Sequence, residues 1–260
     1  MDRWIRRSLE RAFWDRIAVA NATCPHAAAA LIESIKPKTA IPLKRFGPRG
    51  DGGYLMPDDL EGIAACISPG VSCECGFDEE IADLGIDVLM ADASVTGPPK
   101  QHPRFHFFRK FVDITATPNA MTMADLAAKT PAGDLLLQMD IEGAEYRVLA
   151  GMSDDLLQRF RIMVIEFHDL DQMFQRFAFD IMKPVFEKLT RHHHVVHAHP
   201  NNCAAPVNRS SLSVPPVMEF TFYRKDRVQG PLEQPMSYPH ALDASCVQDR
   251  PPVALPACWR

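Results

Sequence analysis

The sequence lacks the features that mark membrane, secreted and nucleic-acid-binding proteins. No apolar run is long enough to span a bilayer, and the first residues have neither the apolar centre nor the cleavage site of a signal peptide. With 28 Lys and Arg against 33 Asp and Glu, the net charge is −5, so no basic field favours nucleic acid. These absences predict a cytoplasmic protein with no nucleic-acid partner.

The seven cysteines form no CxxC pair, and their number is odd. Cys73 and Cys75 are separated by one residue, a spacing that suits neither a common zinc site nor an ordinary disulfide. This usage favours a reduced protein with buried thiols, in agreement with a cytoplasmic location.

The hydrophobic pattern divides the chain into three parts. Residues 1–40 form an N-terminal helical extension, in which residues 1–20 are predicted to be a helix with Trp4 and Phe13 in an apolar stripe among arginines. Such a helix packs on its own domain or on a second subunit of a homo-oligomer, or it lies weakly on an anionic membrane surface; packing is the more common arrangement. Residues 41–226 form the main domain, and residues 227–260 form a Pro-rich tail that wraps it.

Short apolar runs alternate with helical patterns through the main domain. The clearest strand patterns lie at 63–67, 86–91, 135–139 and 162–167. This alternation predicts a parallel sheet with helices on both faces. The patterns at 194–198 and 217–224 are joined by an irregular loop, which favours an antiparallel hairpin at the sheet edge. The histidines at 192–194 are expected at a solvated helix or loop end. We predict an α/β, Rossmann-like class I methyltransferase fold with a mostly parallel seven-stranded sheet; a Rossmann dehydrogenase is the competing fold.

Ligands of open α/β sheets bind beyond the carboxyl ends of the strands, so the residues that follow each strand are the first candidates. Ser68, Gly70 and Val71 form a small-residue turn after the first strand, and such a turn lets the backbone approach a cofactor closely. The turn is not GxGxxG, which argues against a dinucleotide-dependent oxidoreductase. Asp92 and Ala93 follow the second strand. A carboxylate there accepts two hydrogen bonds from ribose hydroxyls, or it caps a helix.

Carboxylates and a histidine lie at the ends of two further strands. Asp140 and Glu142 cap the following helix, or they orient a hydroxyl, hold a metal ion or take a proton. Glu166 and His168 are two residues apart and therefore point to the same side of an extended chain. A carboxylate and an imidazole that face one cleft suit acid/base catalysis or metal binding.

Two other segments carry candidate ligand-binding residues. Asp51 and Tyr54 lie in a glycine-rich segment, where Tyr54 can cover a ligand, although a plain turn explains the glycines equally well. His199, Asn201 and Asn202 leave the sixth strand pattern, and we place them among the contacts to the substrate.

These segments together resemble the FkbM-type methyltransferases over about residues 41–226. The most specific match is the run Met-Asp-Ile-Glu-Gly-Ala-Glu at 139–145, followed by Val-Leu-Ala-Gly at 148–151. Further ordered matches lie at 51–54, 77–82, 165–168 and 199–202. The turn after the first strand has fewer glycines than is common in the family, and Gln138 stands where a Lys is frequent.

The resemblance implies a class I fold that binds S-adenosylmethionine at the ends of the first two strands. Gly70 and its neighbours would face the methionine part, and Asp92 would face the ribose. Asp51 and Tyr54 would close over the cofactor, and Asp140 would lie near the methyl group and the acceptor. The implied reaction is methylation of a hydroxyl on a glycan, a sugar nucleotide or a secondary metabolite.

Methyl transfer is an in-line displacement at a sulfonium carbon, so alignment of the reactants and exclusion of water supply much of the acceleration. The hydroxyl also benefits from losing its proton to a base or from binding a cation. We predict that His168, with Asp140, Glu142 and Glu166 around it, does this work. A Mg²⁺ or Mn²⁺ ion bound by Asp140, Glu166 and His168 is a second version. A non-catalytic binding or scaffold protein that keeps the fold is the alternative.

Overall fold

A computed structural model describes residues 20–37, 41–228 and 238–260 of the chain. The predicted helix over 1–20 lies outside the described residues except for its last position. The helices of the described part are α1 (Pro25–Ile35), α2 (Gly76–Asp83), α3 (Met123–Ala127), α4 (Glu145–Gly151), α5 (Asp154–Arg159) and α6 (Arg176–His192). Short 3-10 turns lie at Leu170–Phe174, Lys225–Arg227 and Ala257–Trp259.

The strands belong to one central sheet and three small two-stranded sheets. In chain order they are β1 (Lys44–Phe46), β2 (Tyr54–Met56), β3 (Ile63–Pro69), β4 (Val88–Ala91), β5 (Phe105–Phe108), β6 (Phe111–Val112), β7 (Ala120–Met121), β8 (Asp134–Met139), β9 (Phe160–Phe167), β10 (His193–Pro200), β11 (Val207–Arg209), β12 (Leu212–Val214) and β13 (Met218–Arg224).

The central sheet has seven strands in the order β10-β13-β9-β8-β3-β4-β5. The four pairs from β9 to β5 are parallel, and β13 is antiparallel to both β9 and β10. An all-parallel dinucleotide-binding sheet has no such antiparallel strand between its last two strands. The predicted class I methyltransferase fold, with its antiparallel pair at the edge, is therefore confirmed.

Apolar side chains cover both faces of this sheet. Neighbouring residues of a strand point to opposite faces, so Ile67 and Leu137 enter one cluster, whereas Cys66 and Leu136 enter the other. Helices α4 and α6 pack on the first face, and α2 packs on the second. Burial on both faces explains why these strands read as continuous apolar runs. In the described part of the chain, no helix is both long and apolar enough to cross a bilayer.

Local backbone geometry determines where two helices begin. Helix α4 begins only at Glu145, because the preceding Glu142 and Gly143 have positive φ angles of 55° and 93°. Gln175 is extended and separates the 3-10 turn at Leu170–Phe174 from α6.

The described parts of both predicted extensions pack on the central domain. Helix α1 and the tail residues Leu255 and Trp259 enter the same apolar cluster as β8 and β9. The Trp259 side chain is fully buried, and its Nε1 donates to the carbonyl oxygen of Ser213 at 3.0 Å. The domain limits at 40/41 and 226/227 stay predictions.

The expectation that the histidines at 192–194 are solvated is wrong for His193. This residue begins β10, its side chain is buried, and its Nε2 lies 2.7 Å from the carbonyl oxygen of Phe160. Burial lowers the pKa of His193 to about 4, although the carbonyl contact opposes the change. The imidazole is therefore neutral in the folded protein at neutral pH.

We expect His193 to make the protein sensitive to mild acid. Between its ordinary pKa of about 6.5 and the folded-state pKa of about 4, the unfolded chain binds a proton that the folded chain does not. Stability is therefore lost as pH falls through this window, by about 2 kcal/mol between pH 7 and pH 5. Urea unfolding at both pH values should show a smaller difference for His193→Gln. The exposed His26→Gln is the control, and an unchanged difference in His193→Gln would contradict the assignment.

Candidate active site

The turn after β3 brings the backbone against the end of β8. Gly70 has a φ angle of +89°, and a Cβ atom at this position would lie 1.5 Å from the carbonyl oxygen of Asp140. Only glycine fits such a contact. The amide nitrogen of Asp140 donates to the carbonyl oxygen of Pro69 at 3.3 Å. The two strand ends therefore meet at one point, at the edge of the sheet where ligands bind.

Asp92 holds this turn in place. Its Oδ2 accepts from the amides of Val71 and Ser72, each at 3.0 Å, and its Oδ1 accepts from the amide and hydroxyl of Ser94 at 2.7 and 2.6 Å. Burial opposes ionisation, but these hydrogen bonds lower the pKa of Asp92. The four donors fill the roughly four acceptor positions of a carboxylate. Ribose binding by Asp92 stays a prediction, and it requires Ser94 to release Oδ1 of Asp92. Contact between the cofactor and the adjacent Ala93 also stays a prediction.

A cavity of about 90 Å³ lies beside this turn. Predicted residues that line it are Asp51, Tyr54, Gly70, Val71, Asp140 and Glu142. Ser68 is fully buried instead and is not part of the lining; its hydroxyl donates to Oε1 of Gln138 at 2.8 Å. The cavity is smaller than the ~300 Å³ of a typical ligand site. A nucleoside-sized ligand therefore needs the covering segments to move outward.

Gln138 on β8 connects the sheet to Tyr54, one of the two residues predicted to close over the cofactor. Its Nε2 donates to the hydroxyl of Tyr54 at 3.1 Å, and its Oε1 accepts from Ser68. The Tyr54 ring packs edge-on against Phe77, with 5.5 Å between the ring centroids. The amide at this position therefore fixes Tyr54 over the cavity.

His168 lies among the predicted catalytic carboxylates. Its Nε2 is 3.5 Å from Oε2 of Glu142, 3.6 Å from Oε1 of Glu166 and 3.8 Å from Oδ1 of Asp140. Two non-glycine residues beside it, Glu142 and Asp169, have positive φ angles of 55° and 54°. Such backbone conformations cost free energy and concentrate at functional sites. The structure thus brings all four predicted catalytic residues together.

Glu145 is a residue of this cluster that the sequence interpretation did not assign to the site. Its side chain is fully buried, and its Oε1 lies 3.2 Å from Nδ1 of His168. The same oxygen accepts from the amides of Ile141 and Gly143, each at 3.1 Å. Because Nδ1 faces this carboxylate, Nε2 is the nitrogen that faces the other three acids. The sequence does contain a signal for Glu145, because it is the last residue of the run at 139–145 that carries the family resemblance.

The carboxylates control the charge of the imidazole. Burial alone would lower the pKa of His168, but the hydrogen bond and charge of Glu145, with the charges of Asp140 and Glu166, raise it to about 9. Burial, aided by Glu142 and Glu145 and opposed by His168, raises the pKa of Asp140 to about 7. A cluster with this excess of acids is suited to a cation.

Asp140, Glu142 and His168 have the geometry of a metal-binding set. Each offers one ligand atom, and the three atoms lie within 4.8 Å of one another. Ligands about 2.0–2.6 Å from one ion span such distances. The Oδ1 atom of Asp140 is buried without a hydrogen-bond partner in the described part of the chain. The predicted set had Glu166 in place of Glu142; Glu166 lies beside the cluster and accepts from Nδ2 of Asn201 at 3.2 Å.

The predicted substrate-binding residues connect the cluster to the C-terminal tail. Nδ1 of His199 lies 3.3 Å from Oδ2 of Asp243, and Nδ2 of Asn202 donates to the carbonyl oxygen of Val247 at 2.8 Å. Asn201, His199 and Asn202 are all buried. Their contact with a substrate stays a prediction, and in this structure His199 and Asn202 anchor the tail beside the site.

The strand order, with β13 antiparallel to both of its neighbours, is that of the class I methyltransferase fold. Residues 77–196 match the family described as the methyltransferase FkbM domain, so the resemblance found in the sequence is confirmed over these residues. A comparison with curated proteins finds no match.

Solved methyltransferase structures show distant likeness. A proposed DNA modification methyltransferase from an E. coli prophage is 13% identical, with 62% of this chain and 47% of that chain covered and a TM-score of 0.36. This chain thus spans about half its length. Magnesium protoporphyrin IX methyltransferase from Synechocystis PCC 6803, with bound S-adenosylhomocysteine, is 11% identical, with 64% and 76% covered and a TM-score of 0.33. A TehB-like S-adenosylmethionine-dependent methyltransferase from Corynebacterium glutamicum is 13% identical, with 85% and 96% covered and a TM-score of 0.32.

Proposed function

We propose that the protein transfers a methyl group from S-adenosylmethionine to a hydroxyl oxygen of a glycan, a sugar nucleotide or a secondary metabolite. The observation that supports this most is the acidic cluster around His168, which shares Asp140 with the glycine turn. A methyl donor seated against Gly70 therefore lies next to groups that accept a proton or bind a cation.

We assign the chain's own residues distinct parts in this reaction. Gly70 and Val71 give the cofactor its closest backbone approach, and Tyr54, which lines the same cavity, covers it. His168 points Nε2 towards the acceptor, because Glu145 holds Nδ1. In the base version of the mechanism, this nitrogen takes the hydroxyl proton as the oxygen attacks, which requires the neutral imidazole, the minor form below the His168 pKa of about 9.

In the cation version, Asp140 and His168 would hold a divalent ion together with Glu142, or with Glu166 as the sequence predicts. Two carboxylates and one imidazole suit Mn²⁺ better than Mg²⁺, which prefers oxygen ligands. An ion in this position would lower the pKa of a hydroxyl bound to it. Glu145 then acts as the buried carboxylate that fixes the orientation of a ligating histidine.

Methyl transfer to a panel of hydroxylated acceptors, followed with labelled S-adenosylmethionine, tests the proposal. We expect EDTA to lower turnover by at least about tenfold and Mn²⁺ to restore it. Turnover unchanged by EDTA would contradict the cation version and leave proton removal to His168. Transfer to an amine or a carbon atom, with none to hydroxyls, would contradict O-methylation.

Two matched variants identify the third ligand. Glu142→Gln and Glu166→Gln each remove one charge with little change of shape. We expect Glu142→Gln to weaken Mn²⁺ binding, measured by titration without cofactor, by about 10- to 100-fold, because its oxygen belongs to the compact set. A loss confined to Glu166→Gln would support the set predicted from the sequence.

A further inference from the structure

Asp78 is a buried carboxylate that the proposed reaction does not use. It lies in the first turn of α2, its exposed fraction is 4%, and it lines the cavity beside the glycine turn. Its Oδ1 atom has no hydrogen-bond partner in the part of the chain that the structure describes. A ligand that contacts Asp78 would therefore explain the burial of this carboxylate better than packing among apolar side chains does.

Burying such a carboxylate in its charged form costs a large amount of folding free energy unless a cation accompanies it. Among the described residues, no Lys, Arg or His forms an ion pair with Asp78. Burial raises the pKa of Asp78 to about 7, against the influence of the nearby Ser68 hydroxyl, whose proton is donated to Gln138, and with a small addition from Glu74. A cationic group of a ligand in the cavity would supply the missing partner.

S-adenosylmethionine carries two cationic centres, the sulfonium and the α-ammonium group. The sulfonium has to face the acceptor, which places it near Asp140 and His168. Asp140 contacts the turn at Gly70, whereas Asp78 lies next to Ser68, two residues earlier on β3. Asp78 and Asp140 both line this cavity, which provides one carboxylate for each cationic centre.

We propose that Asp78 binds the α-ammonium group of the cofactor's methionine moiety. This inference rests on the use of S-adenosylmethionine in the proposed function. The ammonium group donates hydrogen bonds to the carboxylate, and their opposite charges strengthen the contact inside the closed cavity. The same carboxylate discriminates against nucleosides that lack the amino acid part.

A double-mutant cycle between the protein and the ligand tests this contact. Wild type and Asp78→Asn are titrated calorimetrically with S-adenosylhomocysteine and with its deamino derivative, in which hydrogen replaces the α-amino group. We expect wild type to prefer S-adenosylhomocysteine by at least about tenfold, as for a hydrogen bond between charged groups. The preference should fall to about twofold or less in Asp78→Asn.

The matched control is Asp83→Asn, which changes an acid with 70% side-chain exposure on the same helix and should keep the full preference. An equal preference in wild type and Asp78→Asn, or no preference in wild type, would overturn the proposal. Absence of any S-adenosylhomocysteine binding to wild type would instead refute the cofactor assignment itself, so the two failures are distinguishable.

Thermal unfolding without ligand separates binding from folding. We expect Asp78→Asn to be at least as stable as wild type at pH 8, because the substitution removes a buried charge without a partner. If Asp78→Asn is less stable and loses affinity for both ligands equally, the residue is structural and the proposal fails. Asp78→Ser provides a smaller second variant for the same cycle should the amide not be accommodated.

Discussion

Gly70→Ala is expected to abolish cofactor binding. The added Cβ would lie 1.5 Å from the carbonyl oxygen of Asp140, and the φ angle of +89° is one that alanine rarely adopts. Both partners of the contact are backbone, so relief requires the turn to move away from β8. That movement would displace the residues that line the cavity, and we expect at least a 100-fold loss of S-adenosylhomocysteine affinity, about 2.7 kcal/mol or more.

Gly97→Ala is the matched control for this substitution. No atom lies within 4 Å of a Cβ atom built at Gly97, so the variant should keep the affinity and melting temperature of wild type. Circular dichroism establishes whether Gly70→Ala is folded before the titration. A folded Gly70→Ala protein that binds S-adenosylhomocysteine as wild type does would show that the cofactor does not use this turn.

His168→Ala is expected to have the second large effect, on turnover. In the part of the chain that the structure describes, the imidazole of His168 lies within 4 Å of four carboxylates, those of Asp140, Glu142, Glu145 and Glu166. Both versions of the mechanism need Nε2, either as a base or as a metal ligand. We expect turnover to fall by about 10²- to 10⁴-fold, while the affinity for S-adenosylhomocysteine changes by less than about threefold.

The exposed His106→Ala on β5 serves as the control and should retain wild-type turnover. Added imidazole or Mn²⁺ at high concentration distinguishes the two versions in the His168→Ala background: imidazole rescue favours the base, and Mn²⁺ rescue favours the metal ligand. Full turnover in His168→Ala, with the acceptor bound tightly, would remove this residue from the chemistry.

The sequence predicted the main features of the sheet and of the acidic cluster because both depend on simple rules. Buried parallel strands read as apolar runs, which gave β3, β8 and β9 directly. The carboxyl ends of parallel strands meet at one edge, so the positions of Asp140 and His168 after their strands were enough to predict that they lie together.

The residues that were missed have signals that also fit ordinary structure. Asp78 and Glu145 are acids in the first turn of a helix, where a negative charge stabilises the helix dipole without any further role. Their burial, and the contact of Glu145 with His168, depend on helix placement. Local pattern does not specify that placement.

Long-range contacts explain the remaining differences. His199 and Asn202 bond to tail residues more than 40 positions later, and no periodicity relates such distant segments. Ser94 and the amides after Gly70 fill the acceptor positions of the Asp92 carboxylate, and these hydrogen bonds depend on the shape of two turns. Composition identifies such turns but does not give their geometry.

Calorimetric titration of the wild-type protein with S-adenosylhomocysteine tests the central claim most directly, because every assigned role presupposes this cofactor. We predict one site per chain with a dissociation constant in the micromolar range, about −8 kcal/mol. No heat of binding, from a protein shown to be folded by its thermal unfolding transition, would contradict the methyltransferase function and favour a scaffold protein that keeps the fold.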